Sequence, residues 1–146
     1  MATFYYEIII NAPSQKVWDL LWDQETYKQW TQFFSEGSQF KTDWKVDGET
    51  FFLNKNGDGM LSTIKTLIEP EEVIFSHLGL VKNGVVDTTT VNRLEWSGAE
   101  EKYFLRSIDD NTTELRAITH GTNEMQEMMD NGFNRGFEIL KNLAEQ

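Results

Sequence analysis

The stretch Asn123–Gln146, NEMQEMMDNGFNRGFEILKNLAEQ, decides how the rest of the chain is read. Met125, Met128, Met129, Phe133, Phe137, Leu140 and Leu143 recur at spacings of three and four residues. That periodicity predicts an amphipathic α-helix of about six turns. Asn123 fits an N-cap, and Gln126 three residues later fits the second member of a capping box. Gly132 and Gly136 interrupt the helix, each at up to ~1 kcal/mol relative to alanine. Two readings follow: the stripe is ordinary core, or a strand or a bound molecule comes close to the backbone at these glycines.

Upstream, Phe4–Asn11 alternates as a strand that ends before Pro13. Pro13 and Ser14 open a short helix carrying Val17, Leu20 and Leu21, with Trp18 and Trp22 beside them. After a break at Asp23 or Gln24, Glu25–Phe34 places Tyr27, Trp30, Phe33 and Phe34 at helical spacing. From Gln39 the pattern becomes strands and turns: Phe40–Trp44, Glu49–Asn54, Met60–Ile68, Val73–Val81, Glu101–Ile108 and Thr113–His120. The turns Asp47-Gly48, Asn56-Gly57-Asp58-Gly59, Asn83-Gly84 and Asp109-Asp110-Asn111 carry residues that tolerate positive φ. Val85–Ser97 reads as a loop or irregular connection, since its Thr and Val suit a strand while Val91, Leu94 and Glu95 suit a helical turn.

One strand, two short helices, about six strands in an antiparallel meander and one long helix form an α+β pattern. A curved antiparallel sheet wrapped on the C-terminal helix buries one sheet face and one helix stripe. The two short helices close one end of the sheet. At 146 residues, without linkers or repeats, one domain spanning 1–146 is expected.

Composition removes several functions. Cysteine is absent, which excludes disulfides, thiolate metal sites and thiol nucleophiles and fits a cytoplasmic protein. No signal peptide is evident, and no apolar run approaches the roughly 18 residues of a membrane span. A formal net charge of −11 with no basic stripe argues against nucleic acid. Ten Phe, five Trp, four Tyr and a Met cluster supply ring and thioether surface for a pocket adaptable in shape.

Four local sequences resemble the START-like (SRPBCC, helix-grip) superfamily, which includes birch-pollen-allergen-like proteins and polyketide cyclases. Within it they resemble the family of homologues of the activator of heat-shock-protein-90 ATPase. Ile10-Asn11-Ala12-Pro13 leading to Val17-Trp18 looks like the family's opening motif. Trp30 looks like its tryptophan after a short acidic-polar run. Thr119-His120-Gly121 is similar to the end of its last strand, and Gly136-Phe137 with Leu140 and Leu143 to its terminal motif, with Phe in place of Trp. The resemblance implies the helix-grip fold over nearly the whole chain. It leaves function open among binding proteins, co-chaperones and enzymes.

Individual residues narrow the chemistry. His77 and His120 could point into one interior and act as a general base or polarise a carbonyl, or each could be structural. No further ligands stand at metal-binding spacing, so neither a metal nor another cofactor is expected. Asn54-x-Asn56-x-Asp58-Gly59 imitates half of a calcium loop, but its twelfth position is Lys65, so it reads as a hairpin turn. Arg116 can pair with a ligand carboxylate if its strand turns Ile118 and His120 inward; the opposite parity, with Leu115, Ala117 and Thr119 inward, is equally apolar. Phosphate-binding glycine loops and Gly-x-Ser-x-Gly elbows are missing.

The leading expectation is a cavity between sheet and terminal helix that binds a small hydrophobic or lipid-like ligand. Its lining is expected from Trp30, Phe33, Phe34, Trp44, Phe52, Met60, Ile64, Phe75, His77, Leu105, Arg116, His120, Met125, Met129 and Phe133. Burial there would contribute roughly 25 cal/mol per Å² of apolar area. The alternatives are a chaperone-associated protein-interaction domain and a cyclase- or hydrolase-like enzyme using the same cavity.

Overall fold

The structure is a computed structural model that describes residues 1–89 and 98–146. Strand β1 (Ala2–Ile10) leads into helices α1 (Ser14–Trp22) and α2 (Gln24–Trp30). Strands β2 (Gln39–Thr42), β3 (Glu49–Leu53), β4 (Gly59–Ile68), β5 (Glu72–Lys82), β6 (Val85–Asp87), β7 (Glu100–Asp109) and β8 (Thr112–Gly121) follow. A single 3-10 turn (Asn123–Met125) then opens helix α3 (Gln126–Ala144). The strands form one antiparallel sheet in the order β1-β8-β7-β5-β4-β3-β2. Register shifts between β4 and β5, at Leu61/Ser62 and Ile64/Thr66, bend the sheet.

The α+β helix-grip arrangement is the one read from the sequence, with three local differences. Strand β6 was not expected: Val85–Lys82 and Asp87–Leu80 pairing extends β5 beyond the reach of β7. The turn that permits it is Asn83-Gly84, where both residues take positive φ (52° and 77°). Residues 90–97 of the ambiguous connection, including Val91, Arg93 and Leu94, lie outside the described residues. The second helix stops at Trp30 instead of Phe34, because the chain tightens through Phe34 N–H and Ser35 N–H bonds to the Thr31 carbonyl. At the last helix the cap is Thr122, not Asn123. Its carbonyl accepts from Met125 N–H at 3.0 Å and its own N–H reaches Met125 Sδ at 3.5 Å.

The break between α1 and α2 has a clear cause. Asp23 is extended (φ −70°, ψ 136°), and its carboxylate accepts from the N–H groups of Glu25 and Thr26, which caps α2. The N-terminal connection is fixed from inside. Thr113 is fully buried and donates to the Ala12 carbonyl at 2.8 Å, while Ser14 Oγ sits 3.0 Å from the same hydroxyl.

The three helices cover the concave face of the sheet. Phe133, Phe137, Leu140 and Ala144 of α3 are buried against it. Trp22 is the hub of an aromatic cluster, with edge-to-face contacts to Tyr103 (5.1 Å), Phe75 (5.6 Å), Trp44 (5.7 Å) and Phe40 (5.9 Å). The inward face of β8 is Thr113, Leu115, Ala117 and Thr119. The buried Thr119 hydroxyl has no hydrogen-bond partner among the described residues.

The close approach expected at the two helix glycines is real, and the neighbour is α2 and the turn after it. A Cβ on Gly136 would overlap the Trp30 carbonyl oxygen, and one on Gly132 would overlap the Phe34 ring. Neither a strand nor a bound molecule is needed to explain these residues.

Candidate functional site

The concave side is not filled evenly. Toward the C-terminal end of α3 the aromatic cluster packs against the helix. Toward its N-terminal end a cleft of about 440 Å³ opens between helix and sheet. One wall is Met125, Met128, Met129 and Phe133 of α3; Tyr27, Trp30, Thr31 and Phe34 form another. The sheet supplies Phe52, Met60, His77, Leu80, Glu101 and Tyr103, and the β3–β4 turn adds Asn54 and Asp58 at the rim. A wider depression of about 1000 Å³ along the outer side of the helix, Asn123 to Arg135, is open and lined mainly by charged and amide side chains, with Met128 among them.

Strand alternation sets the floor. Glu101, Tyr103 and Leu105 share the inward side of β7, so a carboxylate and a phenol enter an otherwise apolar space. The Tyr103 hydroxyl donates to Glu101 Oε2 at 2.7 Å. Burial holds the Glu101 carboxyl up at about 6, partly offset by that hydrogen bond. Burial and the Glu101 charge raise the phenols of Tyr103 and Tyr27 well above their ordinary range. Across the floor, Ser62 Oγ lies 2.7 Å from His77 Nδ1, within a fully buried pairing of β4 and β5. Burial, helped by His120, lowers His77 to about 4, so its imidazole is neutral at pH 7. The cleft therefore presents a desolvated carboxylate, two phenols and a neutral imidazole on apolar walls. This set can accept and donate hydrogen bonds.

Of the residues expected to line a cavity, the structure brings Trp30, Phe34, Phe52, Met60, His77, Met125, Met129 and Phe133 to this cleft. The others lie elsewhere. Ile64, Phe75 and Leu105 are core side chains, 0–5% exposed. Trp44 packs into the tryptophan cluster against Trp18 and Trp22. Phe33 sits under the Arg135 guanidinium at 5.2 Å.

Arg116 corrects the sequence expectation. The inward parity of β8 is the odd-numbered one, so Arg116 is exposed on the convex face, paired across from Glu7 and Phe104. His120 shares that outward parity, and its Nδ1 accepts from Glu100 N–H at 3.0 Å. Only His77 lines the cleft; His120 lies outside it, near enough to act on the His77 charge. On the same outer surface Arg106 binds Glu114 with two hydrogen bonds, at 3.3 and 3.2 Å. The calcium-like loop is the β3–β4 hairpin turn: Asn54 Oδ1 accepts from the N–H groups of Asn56 and Asp58.

The sequence reading missed Tyr27, Glu101, Tyr103, Leu80 and Met128. Glu101 and Tyr103 were within reach of it, because placing Leu105 inward places residues two and four positions earlier inward as well.

Comparison with known proteins agrees with this architecture. Residues 11–145 match the family described as Activator of Hsp90 ATPase homolog 1-like protein. The Aha1 dimer from Colwellia psychrerythraea superposes with a TM-score of 0.70 at 20% identity, over 99% of this chain and 97% of that one. An HSP90 activator from Plasmodium falciparum gives 0.64 at 12% identity, over 98% and 96%. A protein from Chromobacterium violaceum gives 0.67 at 16% identity, over 100% and 99%. No curated protein matches the chain in sequence. Among the described residues no helix is long and apolar enough to cross a membrane.

Proposed function

We propose that this chain, which belongs to the Activator of Hsp90 ATPase homolog 1-like family, binds a small, mainly hydrophobic ligand in the cleft between α3 and the sheet. The observation that carries the reading is the uneven seating of α3. Its C-terminal half is buried to contact, whereas its Met-rich first turns stand off a space of ligand size lined mainly by apolar side chains. Thioethers adapt to varied shapes at little cost, which suits an apolar guest. The test is uptake of a mixed set of apolar compounds, read by native mass spectrometry and by fluorescence of Trp30 at the cleft wall. Met129→Trp, which fills the space, is expected to abolish uptake with the fold intact. Wild-type protein that takes up no compound, or a variant that binds as well, would overturn the proposal.

A chaperone-associated role is the second reading, supported by family membership. A pull-down with a purified chaperone of the heat-shock-protein-90 class distinguishes it: stoichiometric capture unaffected by Met129→Trp favours a surface role over the cleft.

A further inference from the structure

Resting on the cleft-binding reading, the charge of the lining selects a ligand class. Asp58 and Glu101 are the charged side chains among the described cleft residues, and no lysine or arginine accompanies them. His77 adds no positive charge, because its ring is neutral and one nitrogen is engaged by Ser62. Asp58 already accepts from Asn83 N–H through Oδ1 at 2.9 Å, at the rim. Glu101 is different. It stands half-buried on the floor, Oε2 is held by Tyr103, and Oε1 takes no hydrogen bond from a described residue and is left facing the cleft.

A half-buried carboxylate with one oxygen facing a mainly apolar cleft is less well solvated than one in open water. Binding water there restores part of what was lost. A guest carrying a positive donor restores more, through a charge-assisted hydrogen bond. A guest carrying a carboxylate or phosphate meets like charge in low dielectric with no cation to receive it.

We propose that the cleft takes amphiphiles with an apolar body and a protonated amine head, anchored on Glu101 Oε1, and that it rejects fatty acids and phosphorylated lipids of similar size.

Decylamine, decanol and decanoate, which share one apolar body, test the point on the full chain at pH 7.5 by isothermal titration below micelle formation. Decylamine is expected to bind tightest and decanoate weakest, with about tenfold or more between the extremes, as a charge-assisted contact provides. Glu101→Gln keeps an acceptor for Tyr103 and is expected to erase the gap between decylamine and decanoate. Glu138→Gln, an equal change of net charge on the exposed side of α3, controls for attraction to the acidic surface and is expected to keep it.

Below pH 6 the preference is expected to weaken as Glu101 takes up a proton. The titratable groups facing it are Tyr103 on its own strand, Tyr27 from α2, His77 from β5 and Asp58 at the rim, while α3 presents only Met and Phe. Equal binding of the three probes, tightest binding of decanoate, or an amine preference that survives Glu101→Gln would each overturn the inference and leave the binding reading standing. No binding of any probe would remove both. Absence of an amine preference in the wild-type series overturns the inference even if a variant folds poorly.

Discussion

Replacing Gly136 by alanine sets two effects of opposite sign against each other. Helix propensity alone would stabilise α3 by up to ~1 kcal/mol. The new methyl group, however, would overlap the carbonyl oxygen of Trp30 and sit 3.2 Å from its ring Cε3. That oxygen is backbone at the end of α2, so it cannot rotate away. The ring is 1% exposed and its Nε1–H donates to the Leu21 carbonyl at 3.0 Å, so it is held too. Restoring an ordinary van der Waals distance would separate the two helices by about 1 Å. Such a shift loosens the contacts of Trp30 with Phe133 and Phe137. Overpacking of this kind costs about 1–3 kcal/mol, so a net loss of about 1–2 kcal/mol is expected after the propensity gain. Urea unfolding read by tryptophan fluorescence measures it directly, and for a chain of this size each 1 kcal/mol corresponds to roughly 2–4 °C in Tm. Gly132→Ala is the internal comparison. Its obstacle is the half-buried Phe34 ring, which can swing toward the cleft, so the stability loss is expected to be smaller and ligand affinity to fall instead. A Gly136→Ala protein more stable than the parent would refute the helix–helix contact as the reason for glycine.

The buried titratable groups pull stability in opposite directions with pH. Glu101 is raised from 4.5 to about 6, so the stability its neutral form contributes is present below pH 4.5 and lost as pH rises through 6, at most about 2 kcal/mol. His77 is lowered from 6.5 to about 4, so its contribution, about 3 kcal/mol, is present above pH 6.5 and lost as pH falls through 4. Glu101→Gln should therefore gain on wild type as pH rises from 5 to 8, and denaturant midpoints across that range check it; parallel profiles would contradict the burial of Glu101. Ring nitrogen shifts of His77 in an NMR titration should show no protonation above pH 5, and a midpoint near 6.5 would place the ring in solvent. Thr119→Val should be neutral or stabilising by up to about 1 kcal/mol, because it removes a buried hydroxyl that has no partner among the described residues; a clear loss in thermal unfolding would mean the hydroxyl is satisfied.

How much of this was legible in the sequence depended on which physical rule governed each residue. Strand boundaries could be read because turn chemistry is local: Asn54, Asp58, Asn83 and Gly84 fix their own backbone. The parity of β8 could not, because Leu115 and Ala117 on one side and Ile118 on the other are all apolar. Only packing of the odd-numbered side of β8 against the helix layer decides that Arg116 faces water. Cavity lining was harder still. Phe75, Ile64 and Leu105 share the inward face with Phe52 and Met60, and no local feature tells an inward residue in contact from one beside a gap. That distinction depends on how far the helix stands from the sheet at each level.

Helix α3 contains the reason for the gap within its own composition. Where glycines face α2 and the turn after it, Gly136 meets the backbone of Trp30 and Gly132 the ring of Phe34, and the large rings of Phe133 and Phe137 are drawn into the core. One turn toward the N-terminus the glycines end and Met125, Met128 and Met129 begin, with Met128 41% exposed. Long thioether chains on that turn keep the helix from settling, and the short inward residues beneath it, Ser62 and His77, are tied to each other and cannot rise to fill the space. The Tyr6 hydroxyl, which donates to Asp130 at 2.7 Å, and the Tyr6–Phe133 stack at 4.6 Å then pin the helix at the level where packing gives way to the cleft. The ring and thioether walls of this open cleft lack protein contacts on one side. An apolar guest, as proposed above, would supply those contacts to the Met-rich first turn.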